Sequence, residues 1–178
     1  AEQPYLENKR GQAQSRFEEY LEQFPNGQHA LNAHFYLGQI YFADEKKEKA
    51  IPNFEYVANR ERSEFTEQAL ARISELYLGK KDYQNALKYL TRLEAEADFP
   101  QNITFAQTNI MKASYELKQY AEAVNYAEKV LQDPKIDNAI KSDAQVIIAR
   151  SAMITNNESK AKSAYAEVQK IATGALAA

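Results

Sequence analysis

The sequence predicts an all-α fold, an α-solenoid built from antiparallel helix pairs, and three observations support this. Alanines recur at intervals of 37, 36, 37 and 38 residues, and these anchor alanines are Ala13, Ala50, Ala86, Ala123 and Ala161. An apolar or small side chain follows each of them four and seven positions later, which is helical spacing. The 178 residues include only 5 Gly and 5 Pro, so breaks are few. A period of this length is typical of stacked helix pairs.

Each complete repeat reads as two amphipathic helices joined by a short turn. In the first, Ala33, Leu37 and Tyr41 precede the turn, and Phe54 and Val57 follow it. The same spacing recurs in three later repeats, through Ala69, Ile73, Tyr77, Tyr83, Leu90 and Leu93, then Ala106, Ile110, Ala113, Tyr120, Ala127 and Val130, then Ala144, Ile148, Ala149, Ala152, Tyr165 and Val168. The pattern therefore predicts four helix pairs.

Before these pairs, the pattern predicts the second helix of a repeat whose first helix is largely missing. This helix contains Ala13, Phe17, Tyr20 and Phe24. The expected organisation is one continuous array over residues 1–178, about 4.5 repeats and nine helices. Its parts are a half repeat at 1–26 and repeats at about 31–64, 67–100, 104–137 and 142–173. Since solenoid ends normally carry a polar cap, we expect either a longer parent array or self-association through the uncapped ends.

The turns fit this division. Pro25, Pro100 and Pro134 fall between repeats, where proline prevents a helix from continuing. Within repeats the breaks are polar, and Asp82 and Asn157 are predicted N-caps of the helices that follow them. Pro52, inside a predicted helix, is expected in the first turn of that helix or just past it, because a kink results if the helix begins near residue 45.

Composition and motifs exclude several functions. Twenty-five acidic against 22 basic residues give a net charge of −3, without the basic excess that phosphate contacts require, so we expect no nucleic-acid partner. No apolar run approaches the about 20 residues that span a bilayer, so we expect no direct membrane insertion. There is no cysteine, and His29 and His34 lack a neighbouring ligand cluster. Because no catalytic motif or phosphate loop is present either, we expect no cofactor, no metal and no enzymatic activity.

Several of these residues resemble the tetratricopeptide repeat (TPR) family. In the first complete repeat they are Leu37, Gly38, Tyr41, Ala50 and Phe54, and in the second they are Tyr77, Tyr83 and Ala86. The later repeats depart from the family pattern: its Gly position holds Ser74, Met111 and Ala149, and its first Tyr position holds Ser114 and Ala152. The stretch from Phe24 to Phe42 is similar to bacterial envelope TPR proteins, including the periplasmic Tol-Pal-associated type and Bacteroidetes repeat proteins.

The resemblance implies a right-handed solenoid that binds a protein or peptide on its concave face, which the first helix of each pair lines. It also implies a place in the bacterial periplasm or cell envelope, with the cytoplasm as the alternative. Counting back eleven and eight residues from the anchor alanines gives the residues expected on that face, which are Gln39, Glu75, Lys112, Arg150, Phe42, Leu78, Tyr115 and Met153. Four more are expected to flank them, namely Asn32, Phe35, Arg72 and Asn109. These twelve are called the counted residues below.

Other interpretations stay open at this point. The polar residues on the counted positions also suit a solvated inner surface that contacts no partner. The chain also suits an accessory helical domain of an envelope enzyme, such as a murein-processing enzyme, whose catalytic part lies elsewhere. The third interpretation is that the chain is a structural repeat that assembles with copies of itself.

Overall fold

The computed structural model describes the backbone of residues 2–176 and the side chains of residues 9–173. Within these residues the chain forms nine helices. They are α1 (Glu2–Gln23), α2 (Ala30–Ala43), α3 (Lys47–Ala58), α4 (Thr66–Gly79), α5 (Tyr83–Glu96), α6 (Pro100–Glu116), α7 (Tyr120–Leu131), α8 (Asn138–Ile154) and α9 (Glu158–Leu176). The predicted all-α class is confirmed. Residue 1 and residues 177–178, at the two ends of the expected array, lie outside the described part.

The chain divides into two compact units. Unit 1 extends to Leu76 and contains α1, α2, α3 and most of α4; unit 2 begins at Tyr77 and contains α5 to α9. In unit 1, α2 packs against α1 and α3. In unit 2, successive helices from α5 to α9 pack against each other, and α6 also contacts α8.

All four turns inside the helix pairs share one backbone conformation. The residue five positions before each anchor alanine has a positive φ, between 58° and 61°, and these residues are Glu45, Lys81, Lys118 and Asn156. The next backbone N–H donates to the carbonyl five residues earlier, as Gln119 does to Ser114 at 2.8 Å. This is the Schellman ending of a helix, here closed by residues other than glycine. The alanine period is therefore also a period of the backbone.

The anchor alanines lie where two helices meet. Ala50, Ala86 and Ala123 are fully buried, and Ala161 is 4% exposed. In contrast, Ala13 on α1 is only half-buried. A small side chain at this position lets the second helix of a pair approach the first closely.

Aromatic rings fill the core of unit 1. Phe54 of α3 is fully buried against Gly38 of α2, where an added Cβ would lie 2.8 Å from the Phe54 ring. Gly38 is thus required by the ring that faces it. Phe35 stacks on Phe65 with 4.5 Å between ring centroids and contacts the Phe54 ring at its edge.

In unit 2, alanine and aliphatic side chains fill the core around Met111, and the Tyr89 ring of α5 is buried as well. Beside them, Glu94 of α5 joins three helices: it accepts hydrogen bonds from Lys129 and Tyr126 of α7 at 2.5 and 2.7 Å and from Gln107 of α6 at 3.0 Å. Burial raises the pKa of Glu94, but the three hydrogen bonds outweigh it and hold that pKa below its ordinary value.

The predicted helix starts are confirmed at two places. The Asp82 carboxylate accepts from the Asn85 N–H at 3.2 Å, and the Asn157 side chain accepts from the Lys160 N–H at 3.1 Å. Asp137 caps α8 in the same way. Pro52 is the sixth residue of α3, just past the first turn, and its side chain is exposed. No helix in the described residues is both long enough and apolar enough to cross a bilayer.

Candidate partner-binding groove

An open groove of about 400 Å³ lies in unit 2 between the end of α4 and helices α6 and α8. Five of the counted residues line it: Leu78, Lys112, Tyr115 and Arg150 from the predicted face, and Asn109 from its flank. The rest of the lining consists of Tyr83, Glu116, Asp143, Val146 and Ile147. The repeat register thus brings residues from three helices to one surface.

The charges of the groove are unevenly paired. Lys112 Nζ lies 2.6 Å from Asp143 Oδ2, and both side chains are about half exposed. Arg150 is exposed and forms no ion pair within the described residues. Its guanidinium presents a planar set of donors that matches a carboxylate. One fixed ion pair and one available cation therefore face the groove.

The groove also offers amide and apolar contacts. The side-chain N–H of Asn109 donates to the Phe105 carbonyl at 2.8 Å, so the Asn109 side-chain oxygen remains available to an N–H of a partner. Leu78 and Tyr115 are half-buried, and Ile147 is 8% exposed. The arrangement suits a polypeptide that carries an apolar side chain beside a carboxylate.

In unit 1 the counted residues largely contact one another. The Arg72 guanidinium lies 4.6 Å from the centroid of the Phe42 ring and donates to the Glu75 carboxylate at 3.0 Å. Asn32 and Gln39 are half-buried. The charges of Arg72 and Glu75 are thus paired with each other, although the buried Nε of Arg72 has no hydrogen-bond partner.

Two counted residues differ from expectation in their surroundings. The side chain of Phe35 is only 5% exposed, because Phe65 covers it from the segment before α4, so it offers no accessible surface. That expectation is corrected. Met153 is 59% exposed, but it lies outside the groove and accepts a hydrogen bond from the Tyr165 hydroxyl at 3.7 Å.

Three lining residues that the sequence reasoning missed occupy counted positions. Asp143 and Val146 stand 18 and 15 residues before Ala161, as Asn32 and Phe35 stand before Ala50. Likewise, Ile147 stands 14 residues before its anchor, as Asn109 does. The repeat register therefore carries the signal for these three residues. Tyr83 and Glu116 had no such signal.

Within the described residues, no group of three or more His, Asp or Glu side chains is arranged to hold a metal ion. The His34 ring of α2 packs against α3, where it stacks on Tyr56 with 3.9 Å between ring centroids and shares a hydrogen bond with Asn53 at 2.8 Å. Burial lowers the pKa of His34 below the ordinary value. His34 therefore joins the two helices of its pair.

Comparison with solved structures gives matches over almost the whole chain. The crystal structure of MamA aligns with a TM-score of 0.66 at 14% identity, covering 98% of this chain and 95% of MamA. A protein from Podosopora anserina, described as a kinesin light chain with nearly identical TPR-like repeats, aligns with a TM-score of 0.58 at 16% identity, covering 96% and 90%. The fold is TPR-like.

BtubC from P. vanneervenii aligns with a TM-score of 0.55 at 15% identity, covering 96% of this chain and 76% of BtubC. No family model and no curated protein matches the sequence. At these identities the likeness shows the TPR-like fold alone, and the function has to be argued from the groove.

Proposed function

We propose that this TPR-like protein is a non-enzymatic interaction scaffold that binds a polypeptide segment in the groove of unit 2. The observation that carries the proposal is that five residues, chosen by repeat position alone, line one open surface. That surface combines an available guanidinium, an available amide oxygen and half-buried apolar side chains.

The contacts suggest how the segment binds. A carboxylate of the partner pairs with Arg150, and the side-chain oxygen of Asn109 accepts a backbone N–H. An apolar side chain next to the carboxylate packs on Leu78 and Tyr115. The ion pair of Lys112 with Asp143 gives the groove a fixed polar edge. The preferred segment therefore has an acidic residue beside an apolar one.

Selection from a random peptide library tests this proposal. We expect enrichment of acidic-apolar sequences by the natural protein and loss of that enrichment in Arg150→Glu. Lys135→Glu, an equal charge reversal at an exposed residue outside the groove, is the matched control and keeps the enrichment. Failure of the natural protein to enrich any such sequence, or equal enrichment by Arg150→Glu, would contradict the proposal.

For the cellular setting, we propose the bacterial envelope, supported by the similarity of residues 24–42 to envelope TPR proteins. Fractionation of cells that express the parent protein tests it: recovery with the periplasmic or membrane fraction is expected, and purely cytoplasmic recovery would overturn the assignment.

Self-association is a second candidate function, favoured by an apolar groove of about 410 Å³ between α1 and α2 in unit 1. Ala13 lines it and is only half-buried, while Phe17 stacks on Tyr36 with ring centroids 5.7 Å apart. Sedimentation velocity at increasing concentration distinguishes the outcomes. A dimer that Ala13→Glu abolishes supports this candidate, and a monomer at every concentration removes it.

A further inference from the structure

A second cavity in unit 2, of about 710 Å³, lies among α5, α6 and α7 and shares no lining residue with the groove. Its apolar wall includes Leu87, Ile110 and Tyr120. Ser114 of α6 also lines it. The cavity therefore opens at a place that the proposed peptide site does not use.

Its origin is visible in the repeat register. Ser114 stands nine residues before Ala123, the position that holds Tyr41 before Ala50. In unit 1, Tyr41 fills this position: its side chain is 5% exposed and its hydroxyl donates to the Glu18 carboxylate. Where unit 1 places a phenol ring, the third repeat has the small side chain of a serine.

The other walls of the two sites also correspond. Glu18 stands five residues after its anchor alanine, and the same position in α5 is Thr91. Lys49, whose Nζ lies 5.4 Å from the Tyr41 ring centroid, stands one residue before its anchor, and the same position in α7 is Glu122. Thr91 and Glu122 both line the cavity. The cavity is thus lined from the register positions that surround Tyr41, with different side chains and without the ring.

The lining residues of the cavity differ in accessibility. Ser114 is fully buried, and its Oγ has no hydrogen-bond partner in the structure. Thr91 is exposed, as are two charged lining residues, Lys118 and Glu122. Glu122 forms no ion pair among the described residues and stands at the position of Lys49 in unit 1, so the charge at that position is reversed.

We propose that this cavity receives the side chain of a tyrosine from a partner polypeptide that carries a basic residue next to that tyrosine. The ring packs on Leu87, Ile110 and Tyr120, as buried aromatic anchors do in protein interfaces. The phenol hydroxyl pairs with Thr91, which stands at the position that Glu18 holds beside Tyr41, and the basic residue pairs with Glu122. The inference rests on the proposed function only in taking a polypeptide as partner, because the two sites share no residue.

The probe is the tripeptide acetyl-Lys-(3-fluorotyrosine)-Lys-amide, observed by fluorine NMR during titration with the protein. We expect saturable binding by the natural protein and by Arg150→Glu, whose substitution lies in the groove. Ser114→Tyr supplies the ring from within the chain, so the affinity for the probe falls by about tenfold or more. The control Lys135→Tyr adds the same ring at an exposed residue outside the cavity and leaves binding intact.

Glu122→Lys keeps the test decisive if Ser114→Tyr fails to fold, because residue 122 is exposed. The affinity for the lysine-flanked probe then falls by about threefold to tenfold, and a glutamate-flanked probe binds better. Absence of saturable binding by the natural protein would overturn the proposal. Binding unchanged in both Ser114→Tyr and Glu122→Lys would also overturn it, and loss in Arg150→Glu would assign the probe to the groove instead.

Discussion

Units 1 and 2 use the same turn but fill the helix pairs differently. Four residues after the anchor alanine, unit 1 has the fully buried Phe54, whereas α7 in unit 2 has Ala127. Nine residues before the anchor, unit 1 has Tyr41 and α6 has Ser114. The same backbone turn occurs with both sets of side chains. In unit 1 the aromatic rings fill the space beside the helix pair, and in unit 2 the small side chains leave a cavity there.

This difference separates what supports the fold from what a partner can reach. In unit 1 the Arg72 guanidinium contacts the Phe42 ring and pairs with Glu75, although its buried Nε has no hydrogen-bond partner. In unit 2, the exposed side chains of Arg150 and Glu122 form no ion pair among the described residues. The unit whose sequence departs more from the TPR pattern is thus also the one with exposed, unpaired charged side chains.

The largest expected effect concerns the ring at the core of unit 1. Phe54→Ala removes a fully buried side chain and is expected to lower the free energy of unfolding by about 3–5 kcal/mol. Urea denaturation measures it. Tyr165→Ala at the same repeat position is the control, because this ring is 40% exposed and its loss costs less than about 1 kcal/mol. If both variants lost the same free energy of unfolding, the side chains at this repeat position would contribute equally to stability in the two units.

The glycines provide a matched pair. Gly38→Ala pushes a methyl group against the Phe54 ring and is expected to destabilise by about 1–3 kcal/mol. Gly11→Ala, in α1 with nothing within 4 Å of its Cβ position, stabilises by up to about 1 kcal/mol through helix propensity. Thermal melts of both variants measure the effects. Opposite signs are required, and stabilisation by Gly38→Ala would contradict the close packing of α2 on α3.

The Glu94 cluster gives unit 2 a dependence on pH. Because the folded pKa of this carboxyl is lowered, its contribution is present above the unfolded pKa and is lost as pH falls through the folded value. We expect Glu94→Gln to cost about 1–2 kcal/mol at pH 7 and progressively less on acidification. Urea titrations at several pH values measure this. A difference between the proteins that grows toward acid would contradict the assignment.

The smallest effect concerns the shared turn. Lys118→Gly replaces a side chain at a φ of 61° and is expected to stabilise by about 0.5–1 kcal/mol, since glycine adopts this conformation without steric cost. Gln119→Gly, one residue later with a φ of −83°, is the control and gives no gain. Equal effects in thermal melts would show that the turn stores no strain.

Much of the fold follows from the sequence because the anchor alanines mark a period that the backbone obeys. The four turns, the buried alanines and the caps at Asp82 and Asn157 all fall where that period places them. For the groove, counting identified the helix face, and five counted residues line one surface.

The burial of individual side chains could not be predicted from their repeat positions. Phe35 is covered by Phe65, which belongs to the segment between α3 and α4, outside the repeating helical pattern. Similarly, Ser114 and Ala152 are visible in the sequence as departures from the family pattern. Only the packing of the surrounding helices shows that Ser114 borders an open cavity.

The most direct test of this comparison is to place the tyrosine of unit 1 and its carboxylate partner at the corresponding positions of unit 2. The double variant Thr91→Glu/Ser114→Tyr rebuilds, in α5 and α6, the pair that Glu18 and Tyr41 form in unit 1. Equilibrium urea unfolding measures its free energy of unfolding against that of the natural protein. We expect a higher free energy of unfolding for the double variant, because the new ring fills the cavity and its hydroxyl is paired. A lower free energy of unfolding would show that the cavity does not correspond to the site of Tyr41.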